Sequence, residues 1–473
     1  MASETKTLLD FVMGTRYQDL PDAVVHESKR LLLDSIGVAI AGLKSEKGRL
    51  GVELAKRLGG PSESRIIGTA EKVSCSSAAF ANGELINALD FDALLFPTHS
   101  PPAVIPAVLA LGEIVGASGK AVLLSIALAS EIAFRFGKAI RGQKKIFQTE
   151  EGSEAGKIVG TRYSISPVGA VVIGGALGAG KIVDLDYQKM THCLGLAAHF
   201  TPIPQSRWKI AERMPMSKYI CCGWASQAEV TAVLLAQMGY TSDMATLDGD
   251  LGLWRFFGSD RWDREIFLEG LGTEWKMLKV AEYKPYPCCR ELHVVLDCVM
   301  RIIEAHDVKA QEIKNVRVLT QSSLTGPLMK TREIEDHMVA QFSLPYVVSA
   351  ALNRINLDEW QDRKTMRDQR VLEFMDKVSQ EPHPDFFKVE RQEPGANMTA
   401  VEILTGRGTF REEGKHPRGL PRPGLAMGDE DLVKKFRSSA RALPSTNVSN
   451  VISTIWGLEK VDNICDLIDQ VTF

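Results

Sequence analysis

Apolar positions recur at three- and four-residue spacing from Thr5 to about Phe267, the period of amphipathic or buried helices, and strand signals there are scarce. After Leu20-Pro21-Asp22, the residues Val24, Val25, Leu31, Leu32 and Ile36 lead into small and apolar residues ending near Gly42, which predicts one helix with a buried far end. Pro101 and Pro106 bracket entry to a helix through Leu109 and Ile114. Gly116-Ala117-Ser118-Gly119 breaks it before a second helix from Ala121 to Phe136, so the two are expected to form an antiparallel pair. Ala225 to Met238 and Met244 to Phe257 read as further helices.

The pattern changes after Ile266. An extended stretch from Trp275 to Tyr286 precedes a helix expected from Glu291 to His306. Val316, Val318 and Thr320 alternate with polar residues, as do Thr399, Val401 and Ile403, which is the period of half-buried strands. Helical segments are expected between them, at Met338 to Asn353 and Lys364 to Gln380. Gly406 to Gly428, rich in Gly, Pro, Arg and Lys, reads as a linker or mobile loop. Helices from Asp429 to Leu443 and Val448 to Ile464 are expected to rejoin the first domain. The fold class is therefore mainly α: a large all-helical domain over 1–267, a smaller α+β domain over 268–415, and a return to the helical domain over 416–473.

Composition narrows the function classes. The chain has 473 residues, 45% hydrophobic and 24% charged, enough apolar surface for a large core. Its net charge of −3 provides no global field for nucleic acid or an anionic membrane, so neither is an expected partner. The polar N-terminus lacks a secretory pattern, and an intracellular, cytoplasmic location is expected. Tyr163 to Gly180 is uncharged and reaches the lower length limit of a membrane span, but its five glycines and two serines favour a buried helix. Gly175-Ala-Leu-Gly-Ala-Gly180-Lys181 has phosphate-loop spacing, yet Ile182 stands where Ser or Thr should hold Mg²⁺, which argues against nucleotide binding. Eight cysteines include no Cys-x-x-Cys. Cys288, Cys289 and His293 lack a fourth ligand at zinc spacing, so reduced thiols and no metal are expected.

Three segments carry candidate chemistry. In Asp90-Phe-Asp92-Ala-Leu-Leu-Phe-Pro-Thr-His99, two carboxylates and a histidine sit in a Pro-broken segment between helices. A carboxylate beside an imidazole can fix its tautomer and raise its basicity, making His99 a candidate general acid or base. Lys218 precedes an apolar helix, and Lys284-Pro-Tyr286-Pro-Cys-Cys289-Arg290-Glu-Leu-His293 lies at the domain change. A lysine against an apolar wall can bind a carboxylate or exchange a proton.

These residues, with Leu32-Leu-Asp-Ser-Ile-Gly-Val38, Asn82-Gly-Glu-Leu-Ile-Asn-Ala-Leu-Asp-Phe-Asp92, Thr98-His99, Lys181-Ile-Val-Asp-Leu-Asp186 and Ala340-Gln-Phe-Ser-Leu-Pro-Tyr346, resemble the MmgE/PrpD family over nearly the whole chain. That family includes 2-methylcitrate dehydratase, cis-aconitate decarboxylase and iminodisuccinate epimerase. The resemblance implies a helical domain with an α+β lid, a homodimer, an active site in the cleft between domains, and chemistry without a metal or organic cofactor. By position it makes Asp90, His99, Lys218 and Lys284 catalytic. For proton transfer next to a carboxylate, His99 oriented by Asp90 is expected to exchange the proton and the lysines to neutralise substrate carboxylates or an enolate. Tyr163, Cys289, Arg290 and His293 become candidate substrate contacts.

Departures from the family pattern bear on the substrate. Ile165 stands where many members have a histidine, Cys289 where the decarboxylase type has another, and Ala93-Leu94 replace Asp-Thr. The expected activity is a cofactor-independent lyase on a small carboxylate, first a dehydratase of a 2-methylcitrate-like or alkyl-substituted hydroxy-polycarboxylate. An epimerase or a cis-aconitate-like decarboxylase follows. A thiol enzyme or redox sensor using Cys288-Cys289, and a non-catalytic binding relative, are the readings from other classes.

Overall fold

The structure, a computed structural model, describes residues 3–140, 143–147, 158–164, 167–202, 213–218, 221–257 and 262–472; at 143–147, 158–164 and 167–168 it describes the backbone alone. Its first nine helices are α1 (Glu4–Gly14), α2 (Asp22–Gly42), α3 (Glu46–Leu58), α4 (Cys75–Asn87), α5 (Pro101–Val115), α6 (Gly119–Ala139), α7 (Val171–Ile182), α8 (Tyr187–Phe200) and α9 (Cys222–Gln237). Serine hydroxyls at 45, 74 and 118 and the Asp186 carboxylate accept backbone N–H bonds at the starts of α3, α4, α6 and α8, which satisfies donors the helices cannot use themselves. Pro101 and Pro102 open α5, and Gly116 closes it in the left-handed conformation, φ 59°.

Residues on every side of α5 and α7 are buried, because other helices surround them. α7 packs against both α5 and α6, so the expected α5–α6 pair has a third helix against it. The glycines of α7 permit this. A Cβ at Gly174 would lie 2.3 Å from the Ala129 carbonyl, and one at Gly178 2.6 Å from that of Ser125. The phosphate-loop-like stretch is thus a helix whose glycines admit the backbone of α6. Gly175 makes room in the same way for the buried Glu229 carboxyl, which burial holds in its neutral form.

The remaining elements used below are α10 (His293–His306), α11 (Leu344–Leu352), α12 (Asp429–Ser439) and α13 (Ser445–Trp456), with strands β1 (Ile313–Thr320), β2 (Val378–Pro382), β3 (Thr399–Thr405) and β4 (Gly408–Gly414). The sheet order is β4-β3-β1-β2. β1 and β2 are parallel, and β3 runs antiparallel to both of its neighbours. α10 and α11 cover one face, and their apolar residues form a core with Val316, Val318, Val401 and Ile403. A separate, larger core runs from Leu8 to Tyr283 and includes Met427 to Val471, so α12 and α13 pack on the helical bundle through α2. The molecule is mainly α with a smaller α+β part. No helix among the described residues is long and apolar enough to cross a membrane.

Four expectations change. Met244 to Phe257 forms only short 3₁₀ turns, because Gly249, at φ 70°, and Gly252 interrupt it. Lys364 to Gln380 contains one short α-helix, Gln369–Phe374, between two 3₁₀ turns, and its end becomes β2, where Val378 and Gln380 alternate inward. Ser343 caps a new helix at Leu344, splitting the segment expected from Met338 to Asn353. The first part of Gly406 to Gly428 is β4, an edge strand whose charged face looked like linker; Arg411 pairs there with Glu402.

The α6–α7 contact can be tested by overpacking. Gly178→Ala should destabilise the chain by about 1–3 kcal/mol, since Cβ meets backbone that cannot rotate away. Guanidinium unfolding would measure this, and an unchanged midpoint would show that α6 and α7 can separate at little cost.

Candidate active site

The site is built on the end of α4. Like any helix, α4 leaves its last carbonyls without intrahelical donors. The chain then turns through Asp90, which is left-handed at φ 53°, a conformation that Asp and Asn tolerate better than most residues. Asp90 and Asp92 are fully buried on this turn.

Asp90 Oδ1 lies 3.0 Å from the Nζ atoms of both Lys218 and Lys284. Lys284 also donates to the Asp90 carbonyl at 2.8 Å, and Lys218 donates to Gln341 Oε1 at 3.0 Å. Burial alone would raise the Asp90 carboxyl, but Lys218, Lys284 and His99 outweigh it and hold the group below the ordinary carboxylate range. Burial lowers Lys218, and the attraction of Asp90 offsets only part of that. At Lys284 burial also works downward, yet Asp90 and Asp92 prevail and raise it.

Asp92, and not Asp90, holds His99: its Oδ2 is 3.0 Å from Nδ1, and its Oδ1 accepts from Asn87 Nδ2 at 3.2 Å. The expected Asp90–His99 pairing is corrected for a geometric reason. The left-handed turn commits Asp90 to the lysines, while a tight turn between Leu95 and Thr98 brings His99 back to Asp92. Burial would raise the Asp92 carboxyl, but the hydrogen bond and charge of His99 win, so it stays ionised. Of these five side chains only His99 is exposed, at 12%.

Further buried charges brace the turn. Lys435 of α12 pairs with Asp34 of α2 at 2.6 Å and donates to the Phe91 carbonyl at 2.7 Å; Asp34 Oδ2 accepts from Ala93 N at 3.0 Å. Lys47 donates to Asn87 Oδ1 at 2.8 Å and lies 3.4 Å from Glu84. Asp34, Asp90 and Asp92 are thus matched by Lys218, Lys284 and Lys435. Removing one partner from such a buried set strands the other, at a typical cost of about 3–5 kcal/mol.

Asp90, Asp92 and His99 place one ligand atom each within 4.8 Å of one another, close enough to hold a metal ion. The donor set does not suit one. Two ammonium groups already share Asp90 Oδ1, and a divalent cation there would sit against both.

The structure brings Asp90, His99, Lys218 and Lys284 into one cluster. Cys289 joins it through its backbone N–H, which donates to the Gln341 carbonyl at 3.0 Å. Burial pushes the thiols of Cys288 and Cys289 up, which removes the basis for thiolate chemistry. Arg290 donates to Glu282 at 3.0 Å and to the Arg418 carbonyl at 2.8 Å; its buried Nη2 has no hydrogen-bond partner among the described residues. His293 begins α10, and burial followed by Arg290 and Lys284 pushes it far down, so it stays neutral. Tyr163 lies in the backbone strand Ile158–Ser164, and its side chain, like Ile165, is outside the described residues.

The sequence marks Asp92 only as the second carboxylate of the segment, without a role, and does not mark Asp34, Lys435, Gln341 or Gln361 as site residues. Asp34 had a signal, a carboxylate within an apolar helical run, which demands a partner. Lys435 and Gln361 had none, since the carbonyls they serve after α4 lie 344 and 272 residues away.

Residues 6–265 match the N-terminal domain of the MmgE/PrpD family and residues 286–458 its C-terminal domain. Human cis-aconitate decarboxylase is 25% identical over 476 residues, covering 98% of this chain and 93% of that protein. Cis-aconitate decarboxylase of Aspergillus terreus is 24% identical over 490 residues, covering 98% and 95%, and the mouse protein 25% identical over 484 residues, covering 100% and 93%. With both domains matched in order, across the helical bundle that carries the aspartates and the sheet domain that carries Gln341, the chain belongs to the MmgE/PrpD family.

Proposed function

We propose that the chain is a cofactor-independent lyase that moves a proton at a carbon next to a carboxylate of a small polycarboxylate. The observation that carries this reading is the His99–Asp92 pair, a partly exposed imidazole held by a buried ionised carboxylate beside the Asp90–lysine cluster. Asp92 fixes Nδ1 as the donor end of the ring and turns Nε2 to proton exchange. Arg290 Nη2, without a hydrogen-bond partner among the described residues, supports a role in holding a substrate carboxylate, because guanidinium matches carboxylate geometry. Lys218 and Lys284 are fully buried on Asp90, which supports action through the local field more than through direct contact.

The names of the relatives favour decarboxylation over the dehydration expected first. In that reaction the C–C bond to the departing CO₂ breaks, its electron pair spreads into the neighbouring unsaturated carboxylate, and protonated His99 returns a proton to carbon. In a dehydration His99 would instead take the proton from carbon as hydroxide leaves with a second proton. Ile165 and Cys289, in place of family histidines, favour a less polar or differently substituted acid over cis-aconitate itself.

Proton NMR in D₂O with cis-aconitate, citrate, 2-methylcitrate, citramalate and an alkylcitrate separates the branches: CO₂ release with deuterium at carbon indicates decarboxylation, water loss dehydration. His99→Ala should lower turnover about a hundredfold or more, and Asp92→Asn about tenfold or more, by releasing the ring. Full rates in His99→Ala would remove it from the mechanism.

Met238, Tyr240, Met244, Leu251 and Phe256 are 54–84% exposed and lie near one another in sequence. They support a homodimer. Light scattering should give twice the 52.0 kDa chain mass, and a single-chain mass at micromolar concentration would reject it.

A further inference from the structure

Four consecutive carbonyls after α4 each accept a hydrogen bond from a different distant side chain. Ala88 accepts from Gln341 Nε2, Leu89 from Gln361 Nε2 and Asp90 from Lys284 Nζ, all at 2.8 Å, and Phe91 from Lys435 Nζ at 2.7 Å. Helices commonly end on a glycine that lets the chain cap itself. Here the donors for the buried turn that follows the helix come from elsewhere in the fold: two glutamines of the smaller domain, Lys284 at the junction, and α12.

The two glutamines are also joined to each other. Gln341 Nε2 donates to Gln361 Oε1 at 2.8 Å, and Gln361 Nε2 donates to the Pro287 carbonyl at 2.8 Å, three residues beyond Lys284. Gln341 Oε1 accepts from Lys218. Each side-chain amide therefore has both of its N–H bonds and its oxygen engaged, which fixes which end is which. A glutamate at 341 would lose the donor to Ala88 and place a second carboxylate on Lys218.

We infer that Gln341 and Gln361 are positioning residues: seated from the smaller domain, they hold the turn that follows α4 by its Ala88 and Leu89 carbonyls and with it Asp90, and Gln341 orients the Lys218 ammonium through a neutral partner. The consequence for catalysis rests on the proton-transfer reading above. The positioning itself does not. Lys218 is faced by Asp90, Asp92, Lys47, Lys284 and His337, so what it touches at position 341 is one influence among several of both signs. A charged acceptor there favours the ammonium more than the neutral amide does, and an apolar side chain favours it less.

The test uses the full chain with ¹³Cε-labelled lysine, the Lys218 resonance being assigned by its loss in Lys218→Arg. Gln341→Glu should move the Lys218 titration up by about one pH unit, and Gln341→Met should move it down. A purely structural role would move it in one direction in both variants or not at all, and either result overturns the proposal. Gln361→Leu, read by hydrogen exchange, should speed exchange about tenfold or more in peptides covering 88–95 and 284–290 while α6 and α7 keep their protection. Unchanged exchange there would overturn the support of the turn, and this arm stands even if a Gln341 variant fails to fold. On the panel acids, Gln361→Leu should lower kcat more than it changes KM. If the titration and exchange behave as expected but no acid is turned over, the positioning holds and the reaction reading falls. If the acids react but neither physical readout moves, the reverse is true.

Discussion

The site depends on a backbone constraint: the chain leaves α4 inside the protein, where no water can serve its carbonyls. A buried carbonyl without a donor costs free energy comparable to a lost hydrogen bond. Residues 88–91 meet that demand with two amides and two ammonium groups drawn from three later parts of the chain. The same ammonium groups pair with Asp90 and Asp34, so carbonyl binding and charge placement are one arrangement.

The charges follow from that arrangement. Lysines brought in to serve carbonyls need carboxylates, and Asp34 and Asp90 supply them. With Asp90 committed to two lysines, the second carboxylate of the Asp-x-Asp pair is left for His99, which is the member of the cluster that reaches the surface. The deep layer balances Asp34, Asp90 and Asp92 against Lys218, Lys284 and Lys435, and the imidazole at its edge can exchange a proton without breaking those pairs. A dry, preorganised set of charges of this kind can act on a developing carbanion without reorganising during the reaction.

Much of this was legible in the sequence because it is local. The period of apolar residues marked α2, α5, α6 and α9, and Gly116 marked a helix end, since these depend on side chains within a turn or two of one another. Alternation marked β1 and β3. It failed at β2 and β4, where a short parallel edge and a charged hairpin strand lack a clean two-residue pattern. The helix expected from Met244 to Phe257 had the right composition, but Gly249 takes a left-handed conformation and Gly252 an extended one instead.

The sequence by itself determined which chemistry the chain can carry: two aspartates and a histidine in one Pro-broken segment, two lysines beside apolar runs, and motifs that together mark the MmgE/PrpD family. Only the tertiary structure decided which groups meet. Asp92 rather than Asp90 holds His99 because one left-handed residue turns the first carboxylate toward the lysines. Gln341, Gln361 and Lys435 enter the site because two domains and a returning helix pack around the end of α4. Contacts that span 253 to 344 residues leave no periodic trace along the chain, since they are set by the packing of cores and not by local conformation.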